Sequence, residues 1–365
     1  MELKVTRCEV REDGVATVWL DRPGRGNSWT NRMNTEYRYL MAKLDAEPAV
    51  RAVVVTGSGR QFCVGADTKA LGFYTETDQE YLSTVNLAEN AKPGHGVRPE
   101  FDHDMVWHWG LRVPVIAAIN GACAGIAVAI AGFCDLRYAA AGAKFTTSTP
   151  RLGLPAEYGL AWLLPRMVGI THAADILFTG RVLLAEEMKQ IGFLNDVAPA
   201  DEVLDRAYQV AAYIAHDVSP ASATVAKRQL YAELLRNDVG AAVDSSKELI
   251  GQYMARPDFA EGVRALAERR PPRFAPPGPG ELPASPPAAD VPRLSHAAAP
   301  VDAQHLPGDE PRVLPGQVRH QARHVLHVAR SPHRDQLGRR FGDIPQPVRN
   351  GSPAQRPAQL RRLHV

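Results

Sequence analysis

Two glycine-containing segments of this sequence have the composition of turns that present backbone N–H groups to a ligand. Residues 58–69 have the sequence SGRQFCVGADTK, and residues 120–131 have the sequence NGACAGIAVAIA. Each follows an apolar run typical of a buried strand and leads toward a helix start, where N–H groups lack intrahelical acceptors. Two such turns that converge would supply paired N–H donors to an oxygen that gains negative charge. Each segment alone is more often an ordinary turn or a tight helix contact.

The elements that must position these turns follow from the hydrophobic pattern. Alternating apolar residues on both sides of Gly14 predict a β-hairpin, and apolar runs at residues 53–57 and 113–119 predict buried strands. Asn34 is the expected N-cap of an amphipathic helix that Pro48 ends. Because the second half of the chain has a largely helical pattern, we expect an α/β core followed by a helical region.

The composition divides the chain into two parts. Residues from Pro276 onward contain 12 Arg, no Lys and 7 acidic residues, a net charge of +5, so the remainder carries −3 of the total +2. The same segment holds 16 of the 29 prolines and one aromatic residue, too little apolar surface to offset the entropy of ordering. We expect residues 275–365 to be a disordered Pro/Arg/His-rich tail, with a basic interaction arm as the less favoured alternative. The mildly acidic body argues against nucleic-acid binding.

Other chemical signals indicate a cytoplasmic protein without a metal site. The cysteines form no C-x-x-C pair and have no histidine at metal-ligand spacing, which is typical of buried thiols in a reducing compartment. These cysteines are Cys8, Cys63, Cys123 and Cys134. The first residues lack the apolar stretch of a signal peptide, and the longest apolar run is too short and too alanine-rich to span a bilayer.

Several motifs, taken together, resemble the crotonase (enoyl-CoA hydratase/isomerase) superfamily. The matching stretches are Asp21-Arg22-Pro23 with Asn27, and residues 61–69, 114–121, 134–137 and 258–264. Residues 61–69 look like the family's F-x-x-G-A-D-x-K segment, and the next two stretches are similar to its P-V-I-A-A-[VI]-N-G and C-D-[IL]-R motifs. Their order and spacing agree over about residues 3–274, and the tail has no counterpart.

The resemblance implies a fold and an assembly. The expected fold is α/β, a crotonase (ClpP/crotonase-like) spiral of β-β-α turns with a C-terminal helical trimerisation region. It implies an enoyl-CoA hydratase/isomerase domain over residues 1–274, with its core to about residue 195 and the helical region after it. Family members usually form trimers, so we expect a homotrimer or a dimer of trimers.

The resemblance also implies the binding residues. The family holds a thioester oxygen on two backbone N–H groups, an oxyanion hole, and matching the motifs without gaps places these on Ala66 and Ile126. Ile126 lies where the family usually has glycine, but every residue except proline keeps its backbone N–H group. The positions implied to bind substrate or CoA are Asn27, Gly65, Asp67, Thr68, Lys69, Gly125 and Thr149. Alternatives are that Asp67 orders its turn and that Lys69 is a solvated surface residue.

The acid/base residues depart from the pattern of the family's hydratases. The positions of the two family glutamates fall on Ala129 and Thr149, which carry no group that transfers protons at a useful pKa. Glu157 occupies the position where the family's dienoyl-CoA isomerases carry a catalytic aspartate. Desolvation beside an apolar acyl pocket would raise the pKa of this carboxyl, which suits proton transfer. The alternative is a helix-start carboxylate that interacts with the helix dipole.

The connection over residues 70–113 is longer than usual for the family. In the family this region covers the acyl pocket, so we expect the aromatic rings of the connection to shape substrate choice. These rings include Phe73, Tyr74, Trp107, His108 and Trp109. His103, Asp104 and His108 are reserve candidates for proton transfer, although a single loop histidine is more often a surface or packing residue.

The function that the resemblance implies is an enoyl-CoA hydratase-like lyase in fatty-acid or related acyl-CoA breakdown. It acts on an acyl-CoA thioester through the oxyanion hole, with proton transfer by Glu157. The alternatives are a double-bond isomerase or acyl-CoA hydrolase of the same family, and a catalytically idle protein that binds CoA thioesters. No cofactor is expected, since coenzyme A is part of the substrate, and no metal, nucleic acid or membrane is expected as a partner.

Overall fold

The computed structural model describes residues 1–67 and 90–276. Four positions singled out from the sequence and nearly all of the expected tail lie outside these described residues: Thr68, Lys69, Phe73, Tyr74 and residues 277–365. The described residues form two β-sheets and a series of α-helices, with most of the helices in the second half of the chain.

The strands build a main sheet and a small second sheet. Their bounds are β1 Thr6–Val10, β2 Val15–Leu20, β3 Ala52–Gly57, β4 Val115–Ile119, β5 Cys123–Ala124, β6 Leu136–Ala140, β7 Lys144–Thr146, β8 Leu183–Leu184 and β9 Asp196–Ala198. The main sheet has the order β1-β2-β3-β4-β6-β9, and the second sheet has the order β5-β7-β8. β1 and β2 form the predicted antiparallel hairpin, and all later neighbours in the main sheet pair in parallel.

The central strands explain the continuous apolar runs of the sequence. Every residue of β2, β3 and β4 is buried, as expected for strands that are covered on both faces. β3 and β4 are adjacent and parallel, with Val53 opposite Val115 and Thr56 opposite Ala118. The turns that follow these two strands therefore leave the sheet side by side at the same edge.

The helices follow the strands in order and dominate after residue 160. Their bounds are α1 Asn31–Ala46, α2 Ile126–Phe133, α3 Leu160–Thr179, α4 Ala185–Gln190, α5 Val203–Asp217, α6 Pro220–Glu233, α7 Val239–Met254 and α8 Pro257–Glu268. The N-cap prediction for α1 was wrong: Thr30 caps the helix, its Oγ1 accepting from the Met33 N–H over 3.2 Å, and Asn34 lies within the first turn. Thr30 is as good a cap as Asn34, and the helix gains one more turn by starting there.

The helical second half is attached to the sheet by a nearly buried ion pair. The Lys227 ammonium on α6 donates to Asp135 Oδ2 over 2.7 Å, and the Tyr231 hydroxyl on the same helix donates to Asp135 Oδ1 over 2.9 Å. The Val115 N–H at the start of β4 donates to the same carboxylate over 2.6 Å. Asp135 therefore ties α6 to the sheet at the strand that leads into the second turn.

The last two helices are much more exposed. No residue of α7 is buried, and α8 buries only Ala265.

None of the helices in residues 1–67 and 90–276 combines the length and the apolar composition needed to cross a bilayer. The α/β core with a helical second half is thus as the sequence predicted.

The N-terminal strand is held by a buried carboxylate on α1. Glu36 is fully buried, and its oxygens accept from the N–H groups of Lys4, Val5 and Thr6 at 2.9–3.0 Å and from the Thr6 hydroxyl. The Arg32 guanidinium also donates to this carboxylate. Burial opposes ionisation of Glu36, but the bonds from Arg32 and from the backbone of Val5 and Lys4 outweigh it and lower the pKa of the carboxyl.

We expect Glu36→Gln to destabilise the protein by about 2–4 kcal/mol, because an amide presents an N–H₂ group to donors that need an acceptor. A lowered pKa means that the carboxylate stabilises the folded chain above the ordinary value of 4.5 and that this contribution is lost as the pH falls through the folded pKa. Urea unfolding of both proteins should therefore show a difference at pH 7 that shrinks in acid. Glu9→Gln, in an exposed pair with Arg7, is the matched control and should stay within about 0.5 kcal/mol.

Candidate active site

Two asparagine side chains hold the turn that follows β3. Asn27 is fully buried, its Oδ1 accepts from the Arg22 N–H over 2.8 Å, and its Nδ2 donates to the carbonyls of Ser58 and Gln61 over 2.9 and 2.7 Å. Asn120 donates to the carbonyls of Gly57 and Gly59 over 2.8 Å each. Asn27 thus supports the backbone of the predicted CoA groove without presenting its own side chain to solvent.

The backbone of Trp29 sets the direction of the Ala66 N–H group. Trp29 donates its N–H to the Gly65 carbonyl over 2.7 Å and accepts from the Asp67 N–H over 3.0 Å, which makes a parallel bridge with Ala66. The N–H and C=O of a residue bracketed in this way point away from its partner strand. Within the described residues the Ala66 N–H has no acceptor. No group in the described part of the chain therefore competes with a ligand for this donor.

Gly125 places the second donor. Its N–H donates to the Thr146 carbonyl of β7 over 2.9 Å, and its backbone angles of φ 54° and ψ −125° are ones that favour glycine. The chain turns there, and Ile126 begins α2. In the part of the chain that the structure describes, the Ile126 N–H has no acceptor. The Ile126 side chain is buried in the core, so the substitution of the family's usual glycine leaves the amide in place.

The two turns are bonded to each other through their backbones. The Cys63 N–H donates to the Ala122 carbonyl, and the Ala124 N–H donates to the Cys63 carbonyl, each over 3.0 Å. Gly65 lies so close to Ala124 that an added β-carbon would come within 3.2 Å of its carbonyl oxygen. Ala66 and Ile126 therefore follow directly from two segments whose relative position is fixed.

The carboxylate of Glu157 lies beside this junction. A β-carbon on Gly125 would be 3.2 Å from Glu157 Oε1 and 3.8 Å from the Cα of Gly65. Glu157 is half-buried, and no hydrogen bond to its carboxylate is found among the described residues. Burial raises the pKa of Glu157 to about 7. A carboxyl with this pKa exchanges protons near neutral pH.

Glu157 is not part of the helix that follows it. Its carbonyl accepts from the Leu160 N–H over 3.0 Å, while α3 begins at Leu160 and has no acidic residue in its first turn. Tyr158, with φ 47°, and Gly159, with φ 74°, separate the carboxylate from the helix. This geometry favours the catalytic interpretation of Glu157 over an interaction with the helix dipole.

The positions of the family's two glutamates carry small side chains without charge. Ala129 is fully buried on α2, and Thr149 is 3% exposed after β7. The Thr149 hydroxyl has no hydrogen-bond partner within the described residues. Neither residue supplies a second carboxylate beside Glu157.

The structure describes only some of the remaining residues that were predicted to bind substrate or CoA. Asp67 Oδ2 accepts from Arg22 Nη2 and from the Ser28 hydroxyl, both over 3.0 Å, so this carboxylate orders its turn. Gly65 and Gly125 face each other across the junction. Thr68 and Lys69 lie outside the described residues, and their contact with CoA stays a prediction.

The reserve candidates for proton transfer serve packing and surface roles. His108 is fully buried, stacks on Trp107 with ring centroids 3.8 Å apart, and bonds the Tyr37 hydroxyl over 2.8 Å through Nε2. Asp104 pairs with Arg38, and His103 is exposed. Trp107 and Trp109 belong to the hydrophobic core, so their effect on substrate choice stays a prediction.

Sequence reasoning did not find three residues that hold the site together. Trp29 acts through its backbone, Asn120 through its amide, and Gln61 through its Oε1, which accepts from the Ala122 N–H over 2.8 Å. All three lie in or beside the recognised motifs. Their bonding partners are distant in sequence, so no local signal identified them.

Comparisons with known proteins point to one family. A model of the enoyl-CoA hydratase/isomerase family matches residues 10–277. A probable enoyl-CoA hydratase of Mycobacterium tuberculosis is 34% identical over 266 residues, which cover 71% of this chain and 89% of the relative. A probable enoyl-CoA hydratase of Rhodobacter capsulatus is 31% identical over 274 residues, which cover 75% of this chain and 99% of the relative.

Solved structures share this fold. The crystal structure of a probable enoyl-CoA hydratase/isomerase from Mycobacterium abscessus matches with a TM-score of 0.64 at 32% identity, over 74% of this chain and 99% of that one. An enoyl-CoA hydratase from Mycobacterium smegmatis matches with a TM-score of 0.64 at 26% identity over the same shares. The fold is therefore the crotonase fold. The chain belongs to the enoyl-CoA hydratase/isomerase family.

The buried His108 should make the protein sensitive to acid. Desolvation lowers the pKa of His108 from 6.5 to about 3, and the nearby Lys227 and Arg38 charges act in the same direction, whereas the bond that His108 Nδ1 donates to the Met105 carbonyl acts against it. Below pH 6.5 the unfolded chain binds a proton that the folded chain does not, so the free energy of unfolding should fall by up to about 1.4 kcal/mol per pH unit from this group. Urea unfolding between pH 6.5 and 4 should show this dependence. In His108→Gln the slope of the free energy of unfolding against pH should be smaller by about 1.4 kcal/mol per pH unit, the contribution of one proton.

His103→Gln, at an exposed position, is the matched control and should keep the slope of the unchanged protein. An equal slope in His108→Gln and in the unchanged protein would mean that His108 titrates in the folded chain. The histidine would then return as a candidate for proton transfer.

Proposed function

We propose that this protein is an enoyl-CoA hydratase-like enzyme that acts on an acyl-CoA thioester through an oxyanion hole formed by the N–H groups of Ala66 and Ile126. In support, both groups lack an acceptor among the described residues and lie on turns that are bonded to each other. Donors that are fixed in advance stabilise a developing oxyanion because they do not have to reorient during the reaction. The thioester carbonyl becomes such an oxyanion when an enolate forms.

The observation that carries this proposal is the Glu157 carboxylate beside Gly125, with its pKa raised to about 7. In hydration, Glu157 takes a proton from water while the water oxygen bonds to the β-carbon of the enoyl group. The electrons of the double bond move onto the thioester oxygen, which Ala66 and Ile126 hold. Glu157 then returns the proton to the α-carbon, so water is added and the enzyme is unchanged.

A double-bond isomerase is the second candidate, and a separate observation favours it. Ala129 and Thr149 leave Glu157 without a second carboxylate, and one carboxylate is sufficient to move a proton from one carbon of the acyl chain to another. Thioester hydrolysis and catalytically idle binding are further alternatives. The partly buried Glu157 carboxylate has no hydrogen bond within residues 1–67 and 90–276, which argues against an idle protein, since structural carboxylates are normally hydrogen-bonded.

The binding site for the coenzyme belongs to the same proposal. Backbone and side chains at the positions matched to the family's groove would line it: Asn27, Gly65, Asp67, Thr68, Lys69, Gly125 and Thr149. We place the reaction in fatty-acid or related acyl-CoA breakdown in the cytoplasm, with no cofactor beyond the coenzyme A of the substrate.

Glu157→Gln should lower kcat by about 100-fold or more, because the amide keeps the shape of the side chain but cannot exchange protons. Affinity for the acyl-CoA should change little, since the oxyanion hole is made of backbone. The substrate is first identified with a panel of enoyl-, dienoyl- and cyclic acyl-CoAs analysed by mass spectrometry. Hydration adds the mass of one water, and isomerisation leaves the mass unchanged.

Two controls accompany this measurement. Thr149→Ala should have a smaller effect, and Glu12→Gln, in the exposed β1–β2 turn, should have none. If Glu157 acts as the base, kcat/KM should rise with pH through about 7 and then level off, and this inflection should vanish in Glu157→Gln. Near-full activity of Glu157→Gln on the identified substrate would make the carboxylate structural.

We also propose a homotrimer or a dimer of trimers. The support is the exposure of large apolar side chains on α7 and α8. Monomeric proteins rarely expose so much apolar surface to water, and such surfaces often mark interfaces between chains. These residues are Val239, Val243, Ile250, Met254, Phe259, Val263 and Leu266, with exposed fractions between 46% and 81%.

Light scattering at micromolar concentration should give three or six times the mass of one chain. Val243→Glu together with Ile250→Glu should lower the measured mass if these faces are buried between subunits, because buried charges without partners oppose association. Lys247→Glu on the same helix is the control for the change in charge alone. A monomer under these conditions would contradict the proposed assembly.

A further inference from the structure

The Gln61 side chain links the two turns that carry the proposed oxyanion hole. Its Oε1 accepts from the Ala122 N–H over 2.8 Å, and its own carbonyl accepts from Asn27 Nδ2 over 2.7 Å. Gln61 therefore lies in the segment that leads to Ala66 and is bonded through its side chain to the segment that leads to Ile126. It is half-buried, and within the described residues its amide nitrogen makes no bond.

The two turns approach each other very closely at this point. A β-carbon on Gly121 would lie 2.1 Å from the Arg60 carbonyl oxygen and 3.0 Å from both the Cα and the Oε1 of Gln61. The Gln61 side chain thus covers Gly121 and reaches the next N–H group along the chain. The carbonyl of the same residue, Ala122, accepts from the Cys63 N–H over 3.0 Å. Both polar groups of Ala122 are therefore used to hold it against the first turn.

The position of Ala122 determines where the second donor lies. From Ala122 the chain passes through β5, where the Ala124 N–H bonds Cys63, and through Gly125, where the N–H bonds Thr146. Cys123, the remaining residue before Ile126, pairs with Phe145 of β7. A shift of Ala122 relative to Gln61 would therefore change the distance between the Ala66 and Ile126 N–H groups.

We infer that Gln61 is a positioning residue, which fixes the separation of the two N–H donors by accepting the Ala122 N–H. The inference rests on the proposed oxyanion hole, and it predicts an effect on kcat rather than on binding of the coenzyme. Donors held at a fixed separation matter most when charge develops on the thioester oxygen, whereas the ground-state carbonyl is less sensitive to their placement.

The test compares two substitutions of similar length at Gln61. Gln61→Met removes the acceptor, and Gln61→Glu keeps an oxygen at the same place. Gln61→Met should lower kcat by about 3- to 10-fold with KM within about twofold, because one hydrogen bond is lost while the groove is intact. Gln61→Glu should restore kcat to near that of the unchanged protein. Gln209→Met, at an exposed position on α5, is the matched control for the glutamine-to-methionine change.

Hydrogen–deuterium exchange supplies a readout that does not depend on turnover. The peptide over residues 120–126 should exchange faster in Gln61→Met than in the unchanged protein or in Gln61→Glu. Gln61→Ala is the second variant without an acceptor, and it should repeat both effects of Gln61→Met, because they arise from the lost acceptor and not from the packing of the methionine side chain. Equal kcat in Gln61→Met and the unchanged protein would overturn the inference. Equal losses in Gln61→Met and Gln61→Glu would also overturn it, because the acceptor would then be irrelevant.

The outcome is distinguishable from a failure of the proposed function. If the unchanged protein converts none of the acyl-CoA panel, the proposed function fails, and unchanged exchange in Gln61→Met would then separately overturn the link to Ala122. If the unchanged protein is active but Gln61→Met exchanges faster without losing kcat, the proposed function stands and the positioning role of Gln61 does not.

Discussion

The site depends on the pair of backbone hydrogen bonds that joins Cys63 to Ala122 and Ala124. β3 and β4 are adjacent parallel strands, so the turns that leave them emerge at the same edge of the sheet and bond each other. One turn continues to Ala66 and the other to Ile126. Because these backbone bonds and the bond from the Ala122 N–H to the Gln61 side chain set their spacing, the two N–H groups keep a fixed separation without a ligand. Side-chain amides reinforce this contact where the β-ladder ends, since one short group offers both donors and an acceptor.

Two glutamates of this chain show how surroundings decide the behaviour of a carboxylate. Glu36 is fully buried but accepts from three backbone N–H groups, a hydroxyl and Arg32, and its pKa is lowered. Glu157 is only half-buried, yet it has no hydrogen bond among the described residues, and burial raises its pKa to about 7. Donors stabilise the charged form, and desolvation without donors destabilises it. The first carboxylate therefore holds a strand, and the second has the properties of a proton-transfer group.

Much of the fold could be predicted from the sequence because it follows from local periodicity. The hairpin around Gly14, the buried strands β3 and β4 and the helical second half were all indicated by apolar spacing. The family was indicated by motifs whose residue types reflect local needs, such as glycine where the backbone turns sharply before α2. Glu157 was singled out by its alignment with a family position, and the direction of its pKa shift followed from the expected apolar surroundings.

Only the tertiary structure decided which distant residues meet. Gln61 bonds Ala122, Trp29 brackets Ala66, and His108 packs against Tyr37 in the core although its sequence context resembled a loop. The tertiary structure also decided the N-cap of α1. Thr30 and Asn34 are both good capping residues, and the path of the chain places Thr30 at the N-cap position. Local patterns record what a residue prefers and which neighbours in sequence it has. They do not record which strands lie side by side, and that arrangement determines the contacts that position the site.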